Sequence, residues 1–425
     1  ARGGADMRIA ITFALSCVVA SAAAGQTVAV TGARVYPVSG PVIENGTVIF
    51  ENGRITQVGA GLPCPSGAEC INAQGRWVTP GIFNALTTLG VNEVGQVQET
   101  QDARAAGERG VAASFEAWLG INPSSPHLQV TRNDGVVVAG VVPGANFVSG
   151  QAAVIDLSTG ATVSDMLLRA PAAIVADMAS KGENRGQARG EVIGRMDALL
   201  TDARNYRPGR GDVERTSTRP TAAPARDLQA LGVVLSRRVP LVLEADRASD
   251  IDAAMTMARK HNISLIIAGG AEAWQVAERL ARENVPVIVG SLNNAPNTFS
   301  MLGARQDNAA LLRRAGVRVI VAGGADAFNA RNVKYEAGVA VSFGMSWEDA
   351  LRAITLEPAR AFGVDNRVGT LERGKDATLV VWTGDPLELN TRPTHVYVRG
   401  RNVLAPSRQD ELMRRYLTLP PSYRP

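Results

Sequence analysis

Two stretches place acidic groups where chemistry could be staged. Leu241-Val242-Leu243 runs straight into Glu244-Ala245-Asp246-Arg247, and Val317 to Ala322 leads through Gly323-Gly324-Ala325 to Asp326. An apolar run that ends in a polar turn reads as a buried strand meeting a loop. Side chains just past such strand ends are where α/β folds gather ligands. Glu244 and Asp326 are therefore the candidate catalytic carboxylates, with Asp246 and Arg247 as candidate binding residues. Their oxygens also suit a hard divalent cation. The competing reading of the same residues is an ion-paired network with no chemistry.

Other reactive residue types add little. Of the three histidines, His261 closes a helical pattern where a cation meets the helix dipole, His395 lies in a late strand pattern, and His127 follows the polar run Pro123-Ser124-Ser125-Pro126. Their spacing offers no metal set, and no Ser/His/Asp or Cys/His arrangement stands out. Cys64 and Cys70 bracket the turn-rich Pro65-Ser66-Gly67-Ala68-Glu69. A small disulfide loop is the expectation in an oxidising compartment, with free thiols or a metal pair as alternatives; no nearby His or third Cys supports zinc. Trp118 and Trp274 read as packing residues.

The elements that must position these groups begin after an apparent address. Arg8, the apolar run Ile9 to Ala20 and the small residues Ser21-Ala22-Ala23-Ala24 have the form of a secretory signal, cleaved near Ala24, with the mature protein periplasmic. The six residues ahead of Met7 read as an upstream extension. Hydrophobic residues at 45% and charged residues at 20% fit a globular chain of 425 residues with one large core and a satellite domain. No later apolar run is long enough to cross a bilayer. The formal charge is only +4 and aromatics are 5%, which argues against nucleic acid.

Thr27 to Tyr36, Gly46 to Glu51 and Arg54 to Val58 read as short strands, with turns at Asn45-Gly46 and Asn52-Gly53. From Val78 the pattern changes to apolar strands alternating with helices, clearest from Leu241 to Ala325, which means a parallel sheet buried on both faces. Helices are expected over Ser249 to Lys260, Glu272 to Glu283 and Asn308 to Ala315. Another opens at Ser346 as N-cap with Glu348 and Asp349 in its first turn. No Gly-rich phosphate loop follows the first strand, so a dinucleotide site is not expected. Strand signals return over Ala377 to Trp382 and His395 to Val398, so the two ends form one split β module. Lys181 to Arg226, rich in Arg, Gly and Pro, reads as a surface excursion.

The ends resemble the amidohydrolase superfamily, especially its exported, imidazolonepropionase-like branch. The resemblance rests on Gly32-Ala33-Arg34-Val35-Tyr36, Asn45-Gly46-Thr47-Val48, Asn52-Gly53-Arg54-Ile55 and Val78-Thr79-Pro80-Gly81. Later come Glu336 to Gly344, Ala350 to Phe362, Gly369 to Ala377 and Trp382-Thr383-Gly384-Asp385-Pro386-Leu387. It spans most of residues 27 to 404 and is weakest from about 160 to 226. It implies an α/β fold, a TIM-like (β/α)8 barrel (81–365) with a small composite β-sandwich built from 26–80 and 366–404, and a tail over 405–425. It also implies one or two divalent metals, zinc in the wider family, held by a His-x-His pair after the first strand, His after the fifth and sixth, and Asp after the eighth. Such cations lower the pKa of bound water and polarise the scissile carbonyl.

This chain departs from that set. Leu86 and Thr88 stand at the first His pair, with Asn84 in place of the preceding Asp. Glu244 stands at the fifth position, Gly269 at the sixth, and Asp326 alone is retained. The expectation is therefore no confident metal cofactor, with Asn84 and Thr88 as binding residues beside Asp246 and Arg247. The Gly-rich Gly144 to Gln151 resembles a Ser-Gly-Gln loop of this branch and could shape access. The nominal function is hydrolysis of amide or cyclic-amide C–N bonds. The alternatives are a non-catalytic binder of a small-molecule or peptide-like ligand, and a scaffold paired with an intact paralogue. Homo-oligomers are common in the family.

Overall fold

The computed structural model describes residues 27–144, 146–160, 162–178, 188–207, 221–292 and 294–417. The signal segment expected before Gly25 lies outside them. Strands β1 (Val28–Val35), β2 (Ile43–Glu51), β3 (Arg54–Ala60), β4 (Glu69–Asn72) and β5 (Trp77–Pro80) open the chain. The hairpin between β2 and β3 turns on Asn52 at φ 52° and Gly53 at φ 76°, the left-handed pair that a two-residue turn requires. Asn45-Gly46 is not a turn. Asn45 takes φ 50° inside β2, where the register against β1 shifts, so its left-handed backbone builds a bulge. Cys64 and Cys70 are joined, with Cα atoms 6.0 Å apart.

Eight strands of the described residues form the barrel: β6 (Ile82–Thr87), β7 (Val136–Val141), β8 (Val148–Asp156), β9 (Leu167–Asp177), β10 (Leu241–Ala245), β11 (Leu265–Gly269), β12 (Val287–Val289) and β13 (Val319–Val321). They neighbour one another in chain order. All pairs are parallel except those of β8, which runs antiparallel to both β7 and β9. The TIM-like architecture holds, with one strand reversed. Period-two alternation sorts the side chains. Leu241, Leu243 and Ala245 pack outward with helix residues Ile251 and Met255. Val242 joins Phe83, Ile266, Ile288 and Ile320 in a second cluster that fills the barrel.

After the barrel, β14 (Leu379–Trp382), β15 (Pro393–Val398) and β16 (Arg401–Asn402) return to the first sheet. Its order is β16-β15-β14-β5-β1-β2-β3, with β4 alongside β1. The two ends of the chain meet where β14 pairs antiparallel with β5, Trp382 opposite Trp77. The composite module is thus one sheet sewn from both termini of the barrel.

The stretch expected to be a surface excursion holds a helix instead. Arg189–Asn205 buries Val192, Met196, Leu199, Leu200 and Ala203 against the main core. Their spacing makes one face. The dense arginines and glycines around it masked that periodicity. Residues 179–187 and 208–220 of the excursion lie outside the described residues. Among the described residues no helix is long and apolar enough to cross a membrane.

One buried cation joins barrel to sheet. Lys334, on the helix Val333–Ser342, is fully buried, with Nζ 3.7 Å from Asp134 Oδ1 and 5.4 Å from the centre of the Trp382 ring. Burial holds its ammonium pKa below the ordinary 10.5, Asp134 opposing the shift. The folded-state pKa lies below the unfolded one, so this group's contribution to stability falls as pH drops through that window. Lys334→Met should raise stability in urea unfolding at pH 7, because it removes a charge that desolvation penalises while Asp134 keeps Arg331 as a partner. It should also lose the part of the stability rise that wild type shows as pH climbs towards 10.5.

Candidate barrel-mouth site

Loops leaving the C-terminal strand ends carry every residue read as a site residue except Asn84 and Glu244, which lie within strands. Glu244 is half-buried near the end of β10, on the same face as Val242 and opposite Ala268 of β11. Two residues on, Asp246 is buried. Its backbone carbonyl accepts from Glu272 N–H at 2.9 Å, and its Oδ1 accepts from Ala271 N–H at 3.4 Å. This carboxylate fills a specific gap. Gly269 has φ +87°, and a Cβ there would lie 2.5 Å from Asp246 Oδ1. The space a side chain at 269 would enter is therefore taken by Asp246.

Arg247 is exposed and stands at the N-cap of the helix Ala248–His261 without a side-chain cap bond. Its charge and that of Arg189 oppose the burial that raises the Asp250 pKa. Asp326 is exposed and precedes the 3-10 helix Ala327–Asn332. Its carbonyl accepts from Asn329 N–H at 3.0 Å, while its side chain makes no cap bond.

Asn84 and Thr88 close the barrel. β6 and β13 share no ladder. Thr88 N–H and Oγ1 both donate to Ala325 O, at 2.7 and 3.1 Å. Asn84 Nδ2 donates to Ala330 O at 2.9 Å. Both side chains, expected to bind a ligand, donate across the seam between the first strand and the segment after the eighth. Leu86 packs against the barrel-filling cluster.

Two further carboxylates do similar work, and sequence reasoning missed them. Glu272 accepts from Ala248 N–H at 3.1 Å through one oxygen and from Gly303 N–H at 2.8 Å through the other, tying three loops. Glu336 is buried, and its Oε2 accepts from Ser291 N–H at 2.5 Å and Leu292 N–H at 2.6 Å. Burial pushes its pKa up, and these two bonds pull it part of the way back. One signal was present: Glu336 shares the buried face of its helix with Val333, Ala337 and Ala340. A lone acid on an apolar stripe needs a partner. Among the described residues, no three His, Cys, Asp or Glu side chains form a group that could hold a metal ion.

The remaining candidates are structural. His261 is buried with Nε2 2.8 Å from Asp197 Oδ1. His127 Nε2 lies 2.9 Å from Glu93 O, and His395 stacks on Tyr397. Ser149 donates to Asn146 O and sits in β8 rather than on an access loop. Trp118 is buried in a side cluster, and Trp274 Nε1 donates to Gly303 O.

Comparison with known proteins follows this geometry. Residues 226–403 match the amidohydrolase family profile. The imidazolonepropionase of Rhizobium meliloti (strain 1021) is 26% identical over 374 residues, 82% of this chain and 88% of that protein. Amidohydrolase tasK of Hapsidospora irregularis is 24% identical over 84% of this chain, which spans 39% of tasK. An amidohydrolase from Thermotoga maritima MSB8 superposes with a TM-score of 0.80 at 26% identity, covering 88% of this chain and 99% of its own.

Gly269→Ala should cost about 2 kcal/mol in chemical denaturation, since it combines a left-handed backbone with a clash against Asp246. A pH series should separate Glu336→Gln from wild type. A raised folded-state pKa gives stability that is full below the unfolded 4.5 and lost as pH rises through the folded value. The glutamine variant should gain on wild type as pH rises above 4.5.

Proposed function

Because the chain belongs to the amidohydrolase superfamily, in its imidazolonepropionase-like branch, we propose that it binds a small-molecule or peptide-like amide at the barrel mouth without metal-dependent hydrolysis. The observation that carries this is Asp246 Oδ1 standing where any side chain at 269 would project. The two residues at the first His pair do not suit a divalent metal either. Leu86 has no donor atom, and Thr88 Oγ1 already serves Ala325 O. Without such a cation, water has no nearby source of a depressed pKa at neutral pH.

The rim supports a ligand with apolar substituents. Phe299 and Leu302 follow β12, and Phe328 follows β13; they are 89%, 64% and 61% exposed. Each follows a C-terminal strand end, the side of the barrel where a ligand would sit. A periplasmic location accords with the Cys64–Cys70 disulfide, since such bridges persist in oxidising compartments.

A second reading keeps hydrolysis with a reduced, carboxylate-based site. It is favoured by the exposed carboxylate of Asp326 after the eighth strand, with Glu244 facing the barrel interior. Metal analysis of purified protein, together with a panel of dipeptides and cyclic amides, separates the two. The binding reading expects metal below stoichiometric amounts, ligand-induced thermal stabilisation and no turnover. Stoichiometric metal, or turnover abolished by Asp326→Ala, would replace it with the hydrolase reading.

A further inference from the structure

The opposite end of the barrel carries a cavity of about 660 Å³ between the residues that precede β10, β11, β12 and β13. Its floor is apolar, with Met255, Ile263, Ile266 and Val285. Its walls are arginine. The lining arginines are Arg169, Arg237, Arg238, Arg259, Arg282, Arg318 and Arg360. The only acid among the lining residues is Glu283. Seven arginines less one glutamate leave a local formal charge of +6, more than the +4 of the whole chain.

Ion pairing does not account for this concentration. Glu283 is shared by Arg259 at 3.8 Å and by Arg279 at 2.9 Å. Arg360 shares Glu357 with Arg352. Among the described residues, no carboxylate forms a salt bridge with Arg169, Arg237, Arg238, Arg282 or Arg318. Arg318 instead donates to Asn284, and Arg169 to the carbonyls of Arg238, Phe362 and Gly363. Helix dipoles offset only part of the charge. Arg259, Arg282 and Arg360 lie in last helical turns. Each such end offers roughly half a negative charge, so three neutralise roughly a quarter of the excess. Burial lowers the Arg318 pKa, and Arg360 lowers it further against the opposing pull of Glu357.

The geometry points to a binding site for a small, multiply charged oxyanion on the N-terminal face of the barrel. Guanidinium forks bind phosphate and carboxylate oxygens in pairs, so the shared chemistry is adjacent oxyanion groups on one ligand. The cavity size fits a small molecule. No aromatic ring lines it among the described residues, so nothing there stacks a nucleobase.

The test is calorimetric titration of the full chain with tripolyphosphate and, separately, citrate at low ionic strength. Saturable binding of at least one is expected, and comparing the two assigns phosphate or carboxylate chemistry. Arg238 and Arg282 are exposed. The double variant Arg238→Gln/Arg282→Gln should weaken binding at least about tenfold, about 1.4 kcal/mol. The control Arg373→Gln/Arg408→Gln should leave it unchanged. Wild-type binding should also weaken as salt is raised, a readout independent of any variant. Absence of saturable binding by both anions overturns the proposal, as does affinity unaffected by the double variant or lowered equally by the control.

Discussion

Backbone groups where barrel strands run out into loops lose their ladder partners and need others if the loops are to be held in place. In this protein side chains supply those partners. Thr88 and Asn84 satisfy carbonyls of the loop after the eighth strand. Asp246, Glu272 and Glu336 satisfy amides of the loops after the sixth and seventh, and of the helix that follows the fifth. A buried carboxylate accepting N–H bonds offsets its own desolvation while fixing two segments at once. The shape of the barrel mouth depends on these few bonds.

The same bonds decide what chemistry the mouth can offer. An amide or hydroxyl hydrogen committed to a carbonyl does not orient a ligand, and an oxygen committed to backbone amides has fewer lone pairs for a cation. Glu244 and Asp326 lie at the fifth and eighth strand ends. The first faces the interior near the end of its strand, and the second is exposed to solvent beside apolar groups.

Much of the architecture was legible because it rests on local pattern. The all-apolar runs at Leu241–Leu243 and Leu265–Ile267 announced buried parallel strands. Ser346 announced its helix, and its side chain does accept from Asp349 N–H. Asn45-Gly46 misled because a left-handed residue serves a bulge as well as a turn. The reversed β8 left no trace, since an apolar strand reads the same in either direction. The helix Arg189–Asn205 was hidden by its charged surroundings, although its buried face is regular.

The sequence by itself determined that a barrel is wrapped by a sheet made from both chain ends, and that imidazole is missing from the positions where this family places it. The split module and the parallel strands follow from residue type and spacing, which are local; the barrel and the vacant imidazole positions follow from the resemblance those motifs carry. Only the tertiary structure decided that Gly269 leaves its space to Asp246, that Asn84 and Thr88 close the seam, and that arginines from distant segments converge on one face. Those facts depend on contacts across long sequence separations, where the partner of a polar atom is set by packing rather than by its neighbours in the chain.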